Sequence, residues 1–242
     1  MKYYEIARRS LEPVLPPLYA RVRRDVLSEL RDLSGPTLIL DVGGRKSPYT
    51  IGVPARVHIL DLPRESEIQN ELNLGLNDQV VGQIQRRRSN IEKVILGNMT
   101  RSGLPSNAYD IVVSVEVLEH VERDELFVDE VCRVLKPGGV FIMTTPNGDF
   151  IENRNPDHKR HYKLRELAIL LDKFFERSEL EYAIAGGYFR KAGLRPWAVR
   201  RPIQTLASIF GNVVNSIQSA STDVATKAIG THHLIAKAYK RV

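Results

Sequence analysis

The run Thr37-Leu-Ile-Leu-Asp-Val-Gly-Gly44, answered 20 residues after its aspartate by His58-Ile-Leu-Asp61, constrains this chain more than any other feature. An apolar strand entering an acid and two glycines, then a second apolar strand ending in another acid, builds a crevice at the carboxyl edge of a parallel sheet. Gly43 and Gly44 allow a sharp turn and a close approach of backbone to ligand. Asp61 is placed to accept hydrogen bonds from a ribose diol. A dinucleotide would want Gly-x-Gly-x-x-Gly to seat its pyrophosphate on a helix N-terminus. Here Gly43-Gly44 is followed by Arg45-Lys-Ser-Pro, with no third glycine. The crevice suits a nucleoside without phosphates, which argues against NAD.

Around it, apolar periodicity alternates between the two regular structures. Strands are expected at 37–42, 57–61, 92–96, 109–115 and 139–144, with two more at 180–185 and 231–239. Helical spacing marks 3–33 (broken by Pro13, Pro16 and Pro17), about Asp124 to Leu135, 163–172 and 203–217. Such alternation predicts an α/β, Rossmann-like sheet of seven mostly parallel strands with helices on both faces. Residues 1–36 form an N-terminal helical arm or lid. Residues 37–242 form the main domain, with a C-terminal insertion at about 186–228. The polar stretch 62–90, ending in Arg86-Arg-Arg88, is not assigned. Its arginines read as a solvated helix end that could also neutralise a phosphate.

Composition then removes several classes. A single cysteine, Cys132, excludes a disulfide framework and lies on the apolar stripe Val128, Val131, Leu135, as a packed core thiol. No apolar run approaches the roughly 18 residues needed to cross a bilayer. The first residues lack the apolar stretch of a signal peptide, so a cytoplasmic location is expected. The net charge of +6 favours anionic partners only mildly.

Further motifs follow in order: Leu96-Gly-Asn98-Met99, Tyr109-Asp-Ile-Val-Val-Ser-Val-Glu-Val-Leu-Glu-His-Val121, Leu135-Lys-Pro-Gly-Gly139 and Thr144-Thr-Pro-Asn147. Together with Asp41-Val-Gly-Gly and Asp61, this series resembles the class I S-adenosylmethionine-dependent methyltransferases over roughly residues 37–170. The resemblance implies S-adenosylmethionine as cofactor. It assigns Asp41, Gly43, Gly44, Arg45, Asp61, Leu62, Asn98, Met99 and Ser114 to the cofactor site. Two departures stand out: Gly43-Gly-Arg-Lys-Ser47 replaces the family's Gly-x-Gly-x-Gly, and Asn98 replaces its usual aspartate. Arg45 must then fit beside the cofactor, on its carboxylate.

Glu116, Glu119 and His120 follow the fourth strand, and Asp157-His158-Lys-Arg-His161 comes later. Carboxylates and imidazoles converging on one cleft can hold a divalent cation. The pattern looks like that of two metal-dependent subfamilies, the ubiquinone-type O-methyltransferases and the small-RNA ribose 2′-O-methyltransferases. Carried over, it gives Glu116, Glu119, His120 and His158 as ligands of Mg2+ or another divalent cation. Without a metal, His120, His158, His161 or Glu116 would serve as acid or base. In that reading Glu119 caps a helix. His58 and His232-His233 read as structural. The reaction expected is O-methylation of a small-molecule or glycan-precursor hydroxyl. RNA 2′-O-methylation and a non-catalytic cofactor-binding protein are the alternatives. The helix at 203–217 reads as a lid or a homodimer contact, because a membrane-surface role would want more lysines on its polar face. Tyr188, Phe189 and Trp197 read as acceptor-pocket residues or anchors of the insertion.

Overall fold

The structure is a computed structural model that describes residues 2–63 and 75–242. Seven strands, β1 (Leu38–Val42), β2 (Arg56–Asp61), β3 (Ile91–Leu96), β4 (Tyr109–Val115), β5 (Leu135–Pro146), β6 (Arg177–Ala185) and β7 (Thr231–Tyr239), form one sheet. Their order is β3-β2-β1-β4-β5-β7-β6, parallel except for β7, which runs antiparallel to both neighbours. The expected fold is the one observed. Central strands are near-continuous in Val, Ile and Leu because both of their faces are covered.

On one face, Leu40, Val112 and Phe141 pack against Phe127, Val128 and Val131 of α4 (Asp124–Val134) and Leu167 and Leu171 of α5 (Leu164–Asp172). On the other, Ile39, Ile59, Ile111 and Val113 meet Val22 and Val26 of α2 (Pro17–Asp32) and Ile84 of α3 (Asp78–Arg87). Cys132 sits half-buried, its thiol directed at the Phe174 carbonyl, as a packed core group. His58 is buried against the Tyr109 hydroxyl, in a structural role.

Several boundaries differ from expectation. Strand β5 starts at Leu135, because Gly138 (φ +73°) and Gly139 exchange backbone hydrogen bonds with Lys240 and carry the ladder back past Pro137. Within 62–90, Asn77 caps α3 by accepting the Val80 N–H at 2.9 Å; residues 64–74 lie outside the described residues. No residue of the arm is among those lining the first cavity described below. Its α1 (Tyr3–Ser10) is held against the end of α3, where Glu5 accepts from the Ser89 backbone and hydroxyl. Between β6 and β7 the chain inserts α6 (Tyr188–Gly193), α7 (Pro202–Ser219) and the short α8 (Thr222–Thr226).

Candidate functional site

Chain direction across the sheet reverses between β1 and β4, and open α/β sheets place ligands beyond the strand ends at such a switch point. A cavity of about 350 Å³ lies there, within the ~300–1,000 Å³ range of small-molecule sites. It is lined from all four strand ends: Gly43 and Arg45 after β1, Asp61 and Leu62 after β2, Asn98 and Met99 after β3, and Glu116 and His120 after β4. Gly43 holds φ +71°, and a Cβ there would come within 2.7 Å of Val117. Only glycine keeps this turn and the floor of the cavity open.

Three expected cofactor residues behave otherwise. Asp41 is fully buried beneath the turn, not in the cavity. It accepts hydrogen bonds from Ser47, Tyr49 (3.2 Å) and Thr50 (2.5 Å). Gly44 covers it so closely that a Cβ would lie 2.3 Å from the Asp41 carboxyl carbon. Ser114 is buried within the sheet, its hydroxyl without a partner, and does not reach the cavity. Arg88, read from sequence as solvated, is buried and donates to Thr50 at 2.7 Å, so its charge answers Asp41 through that hydroxyl.

Asn98 caps the next turn. Its Oδ1 accepts from both the Thr100 N–H and hydroxyl at 2.9 Å, and an N–H can only donate, so the amide orientation is set. What Asn98 retains for a ligand is its NH2. An aspartate there would have offered an acceptor instead.

Glu116 sits at φ +55°, a strained conformation for a residue with a Cβ, and its backbone N–H bonds the Thr144 carbonyl. Its carboxylate accepts from the Thr144 hydroxyl at 2.9 Å and from His233 Nδ1 at 3.1 Å, both on Oε1. Arg190 stands 3.3 Å from His233 Nε2 and can only donate, so His233 carries its proton on Nδ1 and gives it to Glu116. Burial opposes charge on Glu116, but the His233 contact outweighs it and holds the carboxyl below the ordinary range. Burial also lowers the Arg190 pKa and raises that of the nearby Tyr19, the latter helped by the Glu116 charge.

Glu116 also lines a second cavity, of about 190 Å³. Pro16, Leu18, Tyr19, Ile184 and Leu194 give it apolar walls, while Arg190, Asn212, Asn215 and His233 supply polar groups. Thus His233, read as structural, belongs to the site. Its sequence signal was an imidazole in the apolar run of β7. Tyr188 is exposed, while Trp197 donates to Ser208 as an anchor of the insertion.

The imidazoles beyond β4 form another group. Among the described residues, Glu119, His120 and His158 each bring one potential ligand atom within 4.8 Å of the others. Glu116 is not in this group; His233 and Thr144 engage its Oε1. His120 Nδ1 lies 3.1 Å from the Asp157 carbonyl, and His161 Nδ1 lies 2.9 Å from that of Ile151. Carbonyls only accept, so both Nδ1 atoms carry protons, and the 2.8 Å contact between His158 Nδ1 and His161 Nε2 makes His158 a donor as well. His120 and His158 therefore keep Nε2 lone pairs, whereas both nitrogens of His161 are engaged and it is not placed as a base. Glu119 Oε1 is buried without a partner. Burial first, then the Glu116 charge, push its pKa well up.

Sheet order and a crevice lined by these strand ends define the class I methyltransferase architecture. Residues 63–143 match the family described as a methyltransferase domain. A Mycolicibacterium smegmatis protein named as a probable S-adenosylmethionine-dependent methyltransferase is 34% identical over 128 residues, 51% of this chain and 48% of that protein. The chain thus spans about half the length of that relative. A ubiquinone biosynthesis O-methyltransferase of Xanthomonas oryzae is 26% identical over 210 residues, covering 80% of this chain and 82% of that one. In fold, the chain is similar to phosphoethanolamine N-methyltransferase 2 of Haemonchus contortus, solved with S-adenosylhomocysteine. That match has a TM-score of 0.61 and 14% identity, and covers 99% of this chain and 59% of that one. In sequence the chain is similar to S-adenosylmethionine-dependent methyltransferases over part of its length, and in fold it is similar to methyltransferases over nearly all of it.

Proposed function

We propose that this chain methylates a hydroxyl oxygen of a small, partly apolar molecule. The observation that carries this reading is that Glu116 lines both cavities, so one ionised carboxylate separates a nucleoside-sized crevice from an apolar chamber. When bound, S-adenosylmethionine supplies an electrophilic methyl group on a sulfonium. Asp61 would accept from the ribose hydroxyls, Met99 would lie on the adenine, and the Asn98 NH2 would donate to a ring nitrogen. The turn at Gly43 and Arg45 would hold the methionine end. On the acceptor side, the unoccupied lone pairs of Glu116 Oε2 take the hydroxyl proton as the oxygen forms its new bond. His233 and Arg190 keep that carboxylate ionised and aimed. The burial of Arg88 weakens the case for RNA as the acceptor, since it leaves only Arg86 and Arg87 of the basic run exposed.

Calorimetry with S-adenosylhomocysteine tests the first cavity. Wild-type protein is expected to bind, and Asp61→Ala to weaken binding by about 1.5–3 kcal/mol, roughly ten- to hundredfold. No heat with the wild-type protein would sink the reading.

A metal-assisted version is favoured by one observation: Glu119, whose Oε1 is buried without a partner while Oε2 accepts from the Thr145 hydroxyl, groups with two imidazoles whose other N–H groups are already held, one by a backbone carbonyl and one by a third imidazole. That is how metal-binding histidines are usually fixed. The donor set suits Mn2+ or Zn2+ better than Mg2+. Binding should raise the melting temperature in either ion, and Glu119→Ala should abolish the rise. A wild-type protein indifferent to both ions would leave Glu119 as a protonated acid.

A further inference from the structure

Helix α7 packs with its polar side inward. Its buried residues are Ser208, Gly211, Asn212 and Asn215. Ser208 donates to the Gly193 carbonyl at 2.8 Å, Asn212 to that of Val14 at 2.9 Å, and Asn215 to that of Ala185 at 2.7 Å. Gly211 lies so close to Gly193 and Phe189 that a Cβ would meet their backbone at 2.9 Å. Three directed hydrogen bonds and one close backbone contact fix the roll of this helix. The opposite face, Ile203, Leu206, Phe210, Val213 and Ile217 at alternating spacings of three and four, is exposed; Ile203 is 83% and Ile217 70% accessible. Val199, just before the helix, is 99% accessible. Isolated exposed apolar residues need no explanation, but a continuous stripe does.

Charge indicates what covers it. Residues 186–220 contain Arg190, Lys191, Arg195, Arg200 and Arg201 and not one aspartate or glutamate. Lys191, Arg195, Arg200 and Arg201 are exposed, and Arg200 and Arg201 directly precede the helix. Pairing this face with a second copy would bring two such cationic runs together. An apolar stripe edged by cations instead matches an interfacial helix on an anionic membrane. The helix itself carries no lysine; its cations come from the segment before it.

We propose that α7 docks on the surface of a bilayer containing anionic lipid, with Leu206, Phe210 and Ile217 toward the acyl chains and Arg195, Arg200 and Arg201 on the headgroup phosphates. Among the described residues no helix is long and apolar enough to cross a membrane, so the attachment is peripheral. Asn212 and Asn215 on the inward side of α7 line the second cavity. Docking therefore puts that cavity about one helix diameter, roughly 10–12 Å, from the lipid.

The test is co-sedimentation of the full chain with vesicles of phosphatidylcholine alone or mixed equally with phosphatidylglycerol. Binding is expected only to the mixed vesicles, weakening as salt rises. The double variant Leu206→Ser/Phe210→Ser should bind at least about a hundredfold more weakly. Arg200→Ala/Arg201→Ala should bind about thirtyfold more weakly, about fivefold per charge. Both variants replace exposed groups, so circular dichroism and S-adenosylhomocysteine affinity should match wild type. Failure to sediment with anionic vesicles would overturn the proposal. So would a dimer in light scattering that Leu206→Ser/Phe210→Ser dissociates. The assay needs no methyl acceptor, so its failure is distinct from failure of the proposed chemistry.

Discussion

Glu116→Gln is expected to lower the turnover of methyl transfer by roughly 10²- to 10⁴-fold, the usual contribution of a positioned general base. Affinity for S-adenosylhomocysteine should stay near the wild-type value. Glutamine keeps the shape of the side chain, and its carbonyl oxygen can still accept from Thr144 and His233, so the fold around β4 is retained. What it cannot do is take a proton. The measurement is incorporation of label from methyl-labelled S-adenosylmethionine into an extract-derived acceptor, beside calorimetry of the demethylated product. His233→Asn should lose less, because it leaves the carboxylate in place and removes only the donor that holds it ionised; its defect should shrink as pH rises. If the two residues act as one unit, the double variant will be little worse than Glu116→Gln alone. Full turnover in Glu116→Gln would remove the carboxylate from the mechanism.

That prediction rests on a pair 117 residues apart in the chain, and the distance shows what a linear reading can and cannot reach. The Thr37–Gly44 run, Asp61 and Asn98 were legible because each belongs to one strand and the turn after it, where local periodicity and glycine chemistry decide the geometry. His233 was not, because it reaches Glu116 only through the antiparallel β7 beside β5, a pairing no local pattern encodes. For α7 the periodicity gave the helix and its apolar face correctly, yet not its direction. Spacing is the same whether a stripe faces the core or the solvent. Only the partners of Ser208, Asn212 and Asn215 fix that. The ligand set assigned to the acids and imidazoles after β4 divides in the structure. Glu119 and His120 turn toward His158, while Glu116, three residues earlier and in a left-handed conformation, turns toward β7.

The second large effect is expected beneath the cofactor turn. Asp41→Ala would leave the hydroxyls of Ser47, Tyr49 and Thr50 without their acceptor and Arg88 without the charge that balances it in a buried site. Burial already pushes the Asp41 pKa up, while Arg88 and the three donors pull it back. The native protein thus balances a costly charge against four partners. Removing one member of such a buried set typically costs about 3–5 kcal/mol. For a chain of this size that is roughly 6–20 °C in melting temperature. Arg88→Ala should destabilise in the same sense, and the double variant should lose clearly less than the two losses added, because each single change strands the other's charge. Gly44→Ala acts on the same carboxylate from above. Its methyl would have to displace Asp41 or lift the turn, at about 1–3 kcal/mol for overpacking. It should also cost S-adenosylhomocysteine affinity, because the lifted turn carries Gly43 and Arg45 with it. Additive melting shifts for Asp41→Ala and Arg88→Ala would show that the two charges do not support one another. The turn would then be held by its hydroxyl bonds alone.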